Sequence, residues 1–272
     1  MIPLEDNATD IIGKAQRGLG ISDSQLAERA QVSAQTIRKL RAGDFDEAAL
    51  RSVAPVLGLD ERALGEIAKG EWRPKEIESV DGAAQFTTDY NGMAVNSYLV
   101  WNPETQVAAA FDTGADSREM LRFAKRHNLD VQLILLTHAH PDHVADLPAL
   151  REETGGDVFT AAREPVPGAE PIDEGKKFRL GNLQIDTRLT WGHSPGGITY
   201  VVTGLARPIA IVGDSLFAGS MGGGNVSYRD ALQNNLEKIL TLPSDTIICP
   251  GHGPMTTVGE EKQHNPFFAG KV

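Results

Sequence analysis

"LLTHAHPDH", residues 135–143, crowds three of the chain's seven histidines and an aspartate into positions 138–143. The apolar run "VQLILLT" leads straight into them, so they stand where a buried strand gives way to a loop. In an extended segment residues two apart point the same way, so His138 and His140 can grip one ion together. Asp142 and His143 come at the turn into the helical stretch "VADLPALREE" and can swing toward a second ion.

The same placement recurs downstream. "WGHSPGG" sets His193 just before the run "ITYVV", "PIAIVG" ends on Asp214, and "TIIC" is followed by "PGHG" and His252. Ligands collect above the carboxyl ends of strands, where a rigid sheet fixes the loops. Five histidines and two aspartates exceed what one tetrahedral ion needs, and a pair of ions bridged by one carboxylate fits the number. Imidazole and carboxylate suit zinc, and also iron or manganese. His127 and His264 fall outside these contexts and read as surface or hydrogen-bonded core residues. The runs "NSYLVW", "QVAAAFD", "VQLILLTH", "ITYVV", "PIAIVGD" and "TIICPGH" alternate with helical stretches such as "SREMLRFAKRHN" and "RDALQNNLEKILTL", the pattern of an α/β domain.

Composition bounds the rest. The 272 residues are 40% apolar and 23% charged, as in soluble globular chains, and no apolar run is long enough for a membrane span. The start, "MIPLEDNATD", lacks the features of a signal peptide, and the single Cys249 excludes an internal disulfide framework, so a cytoplasmic location is expected. The net charge of −11 argues against general affinity for nucleic acid or anionic membranes. Residues 1–75 carry 11 basic against 12 acidic side chains and the remainder 15 against 25, so the acidity lies in the later part.

Residues 10–69 read as short helices only. Ser22 caps "SDSQLAERA", Ser33 caps "AQTIRKLRAG", and Gly43 stands just past the end of the latter. "DEAALRSVAPVLG" and "DERALGEIAKG" are two more helical stretches, and "GEWRPKEIE" is a linker or domain edge. The expected division is a helical domain over 1–72 and an α/β domain over 73–272. "LAERAQVSAQTIRKLRAG" (26–43) resembles the second helix, turn and third helix of the helix-turn-helix domain of phage-repressor-type regulators. That resemblance implies DNA contact through residues 22–43, with Gln35, Arg38, Lys39 and Arg41 offered to the duplex. The alternatives are docking on the second domain or self-association as a homodimer.

"HAHPDH", "WGHSPGG", "IVGDSLFAGS" and "CPGHGP", with "NSYLV" (96–100) and "FDTG" (111–114), resemble the successive motifs of the metallo-β-lactamase superfamily over most of residues 80–268. The resemblance implies a four-layer αββα sandwich, here preceded by the small all-α bundle. It puts His138, His140 and His193 on one metal ion and Asp142, His143 and His252 on another, with Asp214 bridging, and gives Asp142 and His143 the catalytic roles. Two zinc ions per chain are expected, iron or manganese being the other choices. "PGHGPMTTVGEEKQHNPFF" (250–268) is most similar to the hydroxyacylglutathione hydrolase (glyoxalase II) branch.

A water shared by two ions is acidic enough to be hydroxide near neutral pH and can attack an ester or thioester carbonyl. Such a site needs no serine nucleophile, and Ser215, lacking a GxSxG setting, reads as support for Asp214. Cys249 reads as a buried structural thiol. Two divalent ions, two aspartates and one hydroxide leave a charge of about +1, which fits a small anionic substrate. One departure bears on that substrate. The glyoxalase-like enzymes carry an Arg or Lys near the glycine after "LFAGS", where this chain has Gly222, Gly223 and Gly224, a mobile or closely approached loop. Lactone and phosphodiester hydrolysis, a mononuclear iron persulfide dioxygenase and a DNA-binding regulator with a metal-domain sensor are the alternatives. With two separable domains, hydrolysis is expected to survive removal of residues 1–70.

Overall fold

The computed structural model of the chain describes residues 2–77 and 79–271. Five helices come first: α1 (Ala8–Leu19), α2 (Asp23–Ala30), α3 (Ala34–Arg41), α4 (Glu47–Val56) and α5 (Glu61–Lys69). Their starts follow from side chains able to satisfy free backbone N–H groups. Ser22 and Gln25 form a reciprocal capping box on α2, and Ser33 Oγ accepts from Thr36 N at 3.0 Å on α3. Ile37 and Leu40 of α3 are buried, while Gln35, Arg38 and Lys39 are exposed. Arg41 is not free on that face, because its guanidinium donates to Gln16 of α1 at 2.8 Å.

Two six-stranded sheets follow. The first contains β1 (Ala83–Tyr90), β2 (Met93–Trp101), β3 (Val107–Phe111), β4 (Asp130–Leu135), β5 (Asp157–Ala161) and β6 (Glu170–Ile172) in that spatial order. Its first two pairings are antiparallel and the rest parallel. Helices α6 (Arg118–Arg126), α7 (Pro141–Val144) and α8 (Leu147–Thr154) lie in its connections. The second sheet is built from β7 (Lys177–Leu180), β8 (Leu183–Leu189), β9 (Ile198–Thr203), β10 (Ile209–Gly213), β13 (Ile247–Pro250) and β14 (Thr256–Thr257), with β13 inserted between β10 and β14. A small hairpin, β11 (Leu216–Phe217) and β12 (Ser220–Met221), follows β10. Helices α9 (Tyr228–Asn234) and α10 (Val258–His264) complete the chain.

Alternation along the strands sorts side chains into layers. Ala109, Phe111, Leu135, Tyr200, Ile209 and Ile211 point into the core between the sheets. Ala108, Ala110 and Ile134 pack outward on Met120 and Ala124 of α6 and Leu147 and Leu150 of α8. Val201, Ala210, Val212 and Ile248 face the other way, into a cluster with Ala231 of α9, Val258 of α10 and Phe267. The order of layers is therefore αββα, as the motifs imply.

The helical bundle is not separate from this sandwich. Its own core, including Ile11, Leu26, Ile37, Leu50 and Leu64, is continuous with the cluster on the outer face of the second sheet. Asp60 N donates to Pro266 O at 2.8 Å, Glu66 bonds His264 at 3.0 Å, and Trp72 stacks on His264 with ring centroids 5.4 Å apart. Tyr228 fills the space beside Gly18, where a Cβ would overlap its ring. Removing residues 1–70 would strip an apolar face from the second sheet, so survival of the remainder does not follow from this architecture.

Candidate metal centre

The four loops named from the sequence converge at one edge of the sandwich. His138, His140, Asp142 and His143 follow β4 of the first sheet, while Asp214 and His252 follow β10 and β13 of the second. His193 sits in the β8–β9 turn; because β9 runs antiparallel to β10, that turn lies at the same edge. The backbone ties the rim together, with Ile198 N donating to Thr137 O at 2.8 Å and Gly251 N to Gly213 O at 2.9 Å.

The seven side chains form two groups able to hold a metal ion: His138, His140, His193 and Asp214, then Asp142, His143 and His252. In the first, His138 Nε2 and His140 Nδ1 are 3.0 Å apart, His140 Nδ1 and His193 Nε2 3.1 Å, and His193 Nε2 and Asp214 Oδ2 3.3 Å. In the second, Asp142 Oδ2 lies 3.5 Å from His143 Nε2 and 3.3 Å from His252 Nε2. Asp214 faces both, with Oδ1 at 3.3 Å from His143 Nε2 and Oδ2 at 3.5 Å from His252 Nε2. Ligands about 2.0–2.1 Å from one ion in a tetrahedron stand roughly 3.3 Å from each other, so these spacings suit metal binding.

Outer partners fix which nitrogen points inward. His138 Nδ1 meets Thr137 Oγ1 at 3.0 Å, His193 Nδ1 meets Gly223 O at 3.0 Å, and His252 Nδ1 meets Ala94 O at 2.6 Å. His143 Nδ1 lies 2.8 Å from Asp112 Oδ2. A ring that gives its Nδ1 proton outward turns an Nε2 lone pair to the centre. Two inward atoms, His143 Nε2 and Asp214 Oδ1, are buried without a hydrogen-bond partner. Such a pair of buried, unbonded ligand atoms is what a cation between them would satisfy.

The electrostatics agree. Burial pushes His138 well below its ordinary pKa, with His143 adding to the shift, and burial likewise lowers His140, helped by His193. At His143 burial acts in the same sense, but Asp214 and Asp112 outweigh it and raise the pKa to about 10. His252 behaves alike: burial opposes protonation, while bonds to Asp142 and Asp214 lift it to about 11. Burial opposes ionisation of Asp214, yet His143, His193 and His252 hold it well below the carboxylate range. A centre of this kind demands positive charge, from protons or from metal.

Several residues support the ligands from outside, and of these Glu164 belongs to none of the motifs. Asp112, with φ at +55°, accepts from Thr137 N and Thr137 Oγ1, each at 2.7 Å, besides holding His143. Glu164 accepts from Ala139 N at 3.2 Å and Gly196 N at 3.0 Å, bracing the loops of His138 and His193. Ser215 Oγ bonds Thr190 instead, donating to its carbonyl at 3.2 Å, so its hydroxyl braces the end of β8 and not the Asp214 carboxylate. Cys249 is buried, which pushes its thiol pKa up. The glycine run is closely approached: a Cβ on Gly222 would overlap the Asp214 carbonyl, and one on Gly224 would overlap Tyr228. It supports the centre and supplies no cation.

Comparisons with known proteins agree with this geometry. The metallo-beta-lactamase superfamily matches residues 90–252, leaving the helical bundle outside. The probable metallo-hydrolase YqgX of Bacillus subtilis is 32% identical over 59% of this chain and 86% of its own. The hydroxyacylglutathione hydrolase GloC of Haemophilus influenzae is 29% identical over 65% of this chain and 93% of its own. The crystal structure of ETHE1 from Myxococcus xanthus superposes with a TM-score of 0.61 at 25% identity, covering 70% of this chain and 86% of that one. The αββα sandwich, the converging histidines and aspartates and the match across most of the sandwich make one conclusion: the chain belongs to the metallo-beta-lactamase superfamily, whose fold binds metal ions through such clusters.

Proposed function

We propose that the chain is a binuclear metal-dependent hydrolase acting on an ester or thioester carbonyl, in the manner of glyoxalase II. The observation that carries this reading is Asp214, whose two oxygens face the two ligand groups from one buried position. Zinc fits the donor set, and iron or manganese would also fit it. When bound, the ions supply an acidified water as nucleophile and a Lewis acid for the carbonyl oxygen. The residues do the remaining work. Asp112, Thr137, Gly223 and Ala94 hold four imidazoles in the tautomer that leaves Nε2 free. His143 and His252 must shed their protons before they can hold an ion. Asp142 keeps Oδ2 toward His143 and His252, and its carboxylate would serve as the proton acceptor beside a bound water.

The test is elemental analysis of the purified protein followed by a panel containing a glutathione thioester, a lactone, a phosphodiester and a persulfide. Two zinc ions with thioester turnover, lost in His140→Ala and Asp142→Ala, supports the reading. One iron with oxygen consumption on the persulfide replaces it with the dioxygenase, and absence of metal refutes both.

DNA contact is a second role, favoured by the exposed Gln35, Arg38 and Lys39 on α3. Because the bundle shares its core with the sandwich, charge reversal at Arg38 and Lys39 in the full chain tests this better than deletion. A mobility shift that persists in that variant refutes it.

A further inference from the structure

The turn that follows β5 grips two of the loops carrying the metal ligands. It is closed by Glu164 N, which donates to Ala161 O at 2.9 Å. With one oxygen Glu164 accepts from Ala139 N, between His138 and His140, and with the other from Gly196 N, three residues past His193. A Cβ on Gly196 would come within 2.7 Å of the Ala161 Cβ, so the turn lies directly on the His193 loop. That loop folds back on itself, with Thr190 N donating to Gly197 O at 2.7 Å, which sets Trp191 across from Gly196. Arg163 belongs to the same turn, and its guanidinium stands over the Trp191 ring, 5.6 Å from the ring centre. The contact holds Arg163 on the loop that delivers His193, at the rim where the parallel strands β4 and β5 both end.

Charge sets this side chain apart. The segments that carry the seven ligands, residues 136–146, 190–197, 214–227 and 251–255, contain no lysine or arginine, and neither does 112–117. Lys14, which reaches the third of them at Met221 O, is paired with Asp6. Arg163 is exposed, and its guanidinium makes no hydrogen bond or ion pair among the described residues. Its neighbour Glu164 does not answer it, since a backbone N–H takes each of that carboxylate's oxygens. Contact with a ring face steadies a guanidinium but uses none of its N–H donors, so the planar fork stays open to a carboxylate.

We propose that Arg163 is a specificity-determining residue that takes a carboxylate of the ligand at the His193 side of the centre. The turn after β5 then supplies the cation that the glycine run lacks. The substrate class becomes an ester or thioester that carries a carboxylate apart from the carbonyl under attack. The substrate rests on the hydrolase reading, whereas the ligand preference can be read without turnover.

The test uses the full-length, zinc-loaded protein and thiols that anchor on the metal through sulfur. Two pairs are titrated calorimetrically, 3-mercaptopropionate against 3-mercaptopropanol and 6-mercaptohexanoate against 6-mercaptohexanol, so that a short and a long reach are both covered. In the pair with the larger preference for the carboxylate, Arg163→Gln is expected to lower the carboxylate-to-alcohol affinity ratio about fivefold, the worth of one exposed charge pair. Arg163→Lys, which keeps the charge, is expected to hold the ratio within twofold of the parent, and zinc stoichiometry and Tm should not change in either variant. A ratio that Arg163→Gln leaves within 1.5-fold of the parent in both pairs overturns the proposal. So does a loss of zinc or a lowered Tm in that variant, which would make Arg163 a brace for the His193 loop. If the parent turns over no ester or thioester while the ratio still falls, the hydrolase reading fails and the role of Arg163 stands.

Discussion

Asp112→Asn should uncouple metal affinity at one position from the stability of the fold. Asp112 Oδ1 accepts from Thr137 N, and Oδ2 accepts from Thr137 Oγ1 and the His143 ring. An asparagine must put its amide nitrogen on one side or the other. Against Thr137 N two donors would collide, and a backbone N–H has no alternative state. Against His143 and the Thr137 hydroxyl the conflict is soluble, since the hydroxyl can rotate and the imidazole can change tautomer. The side chain is thus driven to donate to His143 Nδ1, which moves the ring proton to Nε2, the atom facing Asp142 and Asp214. An Nε2 that carries a proton cannot coordinate. Changing an outer partner of this kind costs about 10–100-fold in metal affinity, or roughly 1.4–2.7 kcal/mol. Asparagine also tolerates the left-handed backbone at this position, so the fold should lose no more than one hydrogen bond, ~1 kcal/mol. Zinc titration against a competing chelator, alongside urea unfolding of the metal-free protein, measures both quantities. Dissociation constants within twofold of the parent would refute the argument from tautomer control.

Three other outcomes are expected. Lys14→Met leaves the buried Asp6 carboxylate without its cation and should cost about 3–5 kcal/mol in urea unfolding; a loss below ~1 kcal/mol would mean the pair is solvated. Gly251→Ala puts a methyl group onto Asp214 Oδ1 and His143, and elemental analysis should find fewer than two ions per chain. In the metal-free protein His143 and His252 have pKa values raised to about 10 and about 11. Raised values stabilise the fold below the unfolded-state pKa of ~6.5, and that stability is lost as pH climbs through the folded values. Zinc binding at pH 7 should therefore release protons, seen as a dependence of the calorimetric enthalpy on buffer ionisation, and an enthalpy identical in all buffers would contradict the charge assignment.

The seven inward residues were legible because each stands at the edge of an apolar run, where periodicity marks the strand and the polar residue breaks it. The bonds made by their supports were not, even where, as with Asp112 in "FDTG", the residue lay in a matching motif. The grip of Asp112 on His143 depends on the parallel β3–β4 register that sets Phe111 beside Leu135, which no local pattern encodes. Strand β8 buries Leu183, Ile185, Thr187 and Leu189 in strict alternation, yet Gln184, Asp186 and Arg188 between them hide it from a search for continuous apolar runs. The glycines at 222–224 were open to a mobile or a close-packed reading, and proximity to Asp214 and Tyr228 decides for the second. Arg41 is among the groups that the helix-turn-helix resemblance offers to DNA, but Gln16 already holds it. The docking of Lys14 on Met221 joins residues far apart in the chain and could be found only in three dimensions.

The split of ligands between sheets has a mechanical consequence. Four of the seven belong to one half of the sandwich and three to the other, so any ion held here rivets the two halves across their seam. Opening the sandwich at that rim would then require releasing the ions first. At a free metal concentration a hundred times its dissociation constant, each site would add about 2.7 kcal/mol against unfolding. An ion held there would in that sense act as a fastener between the two halves.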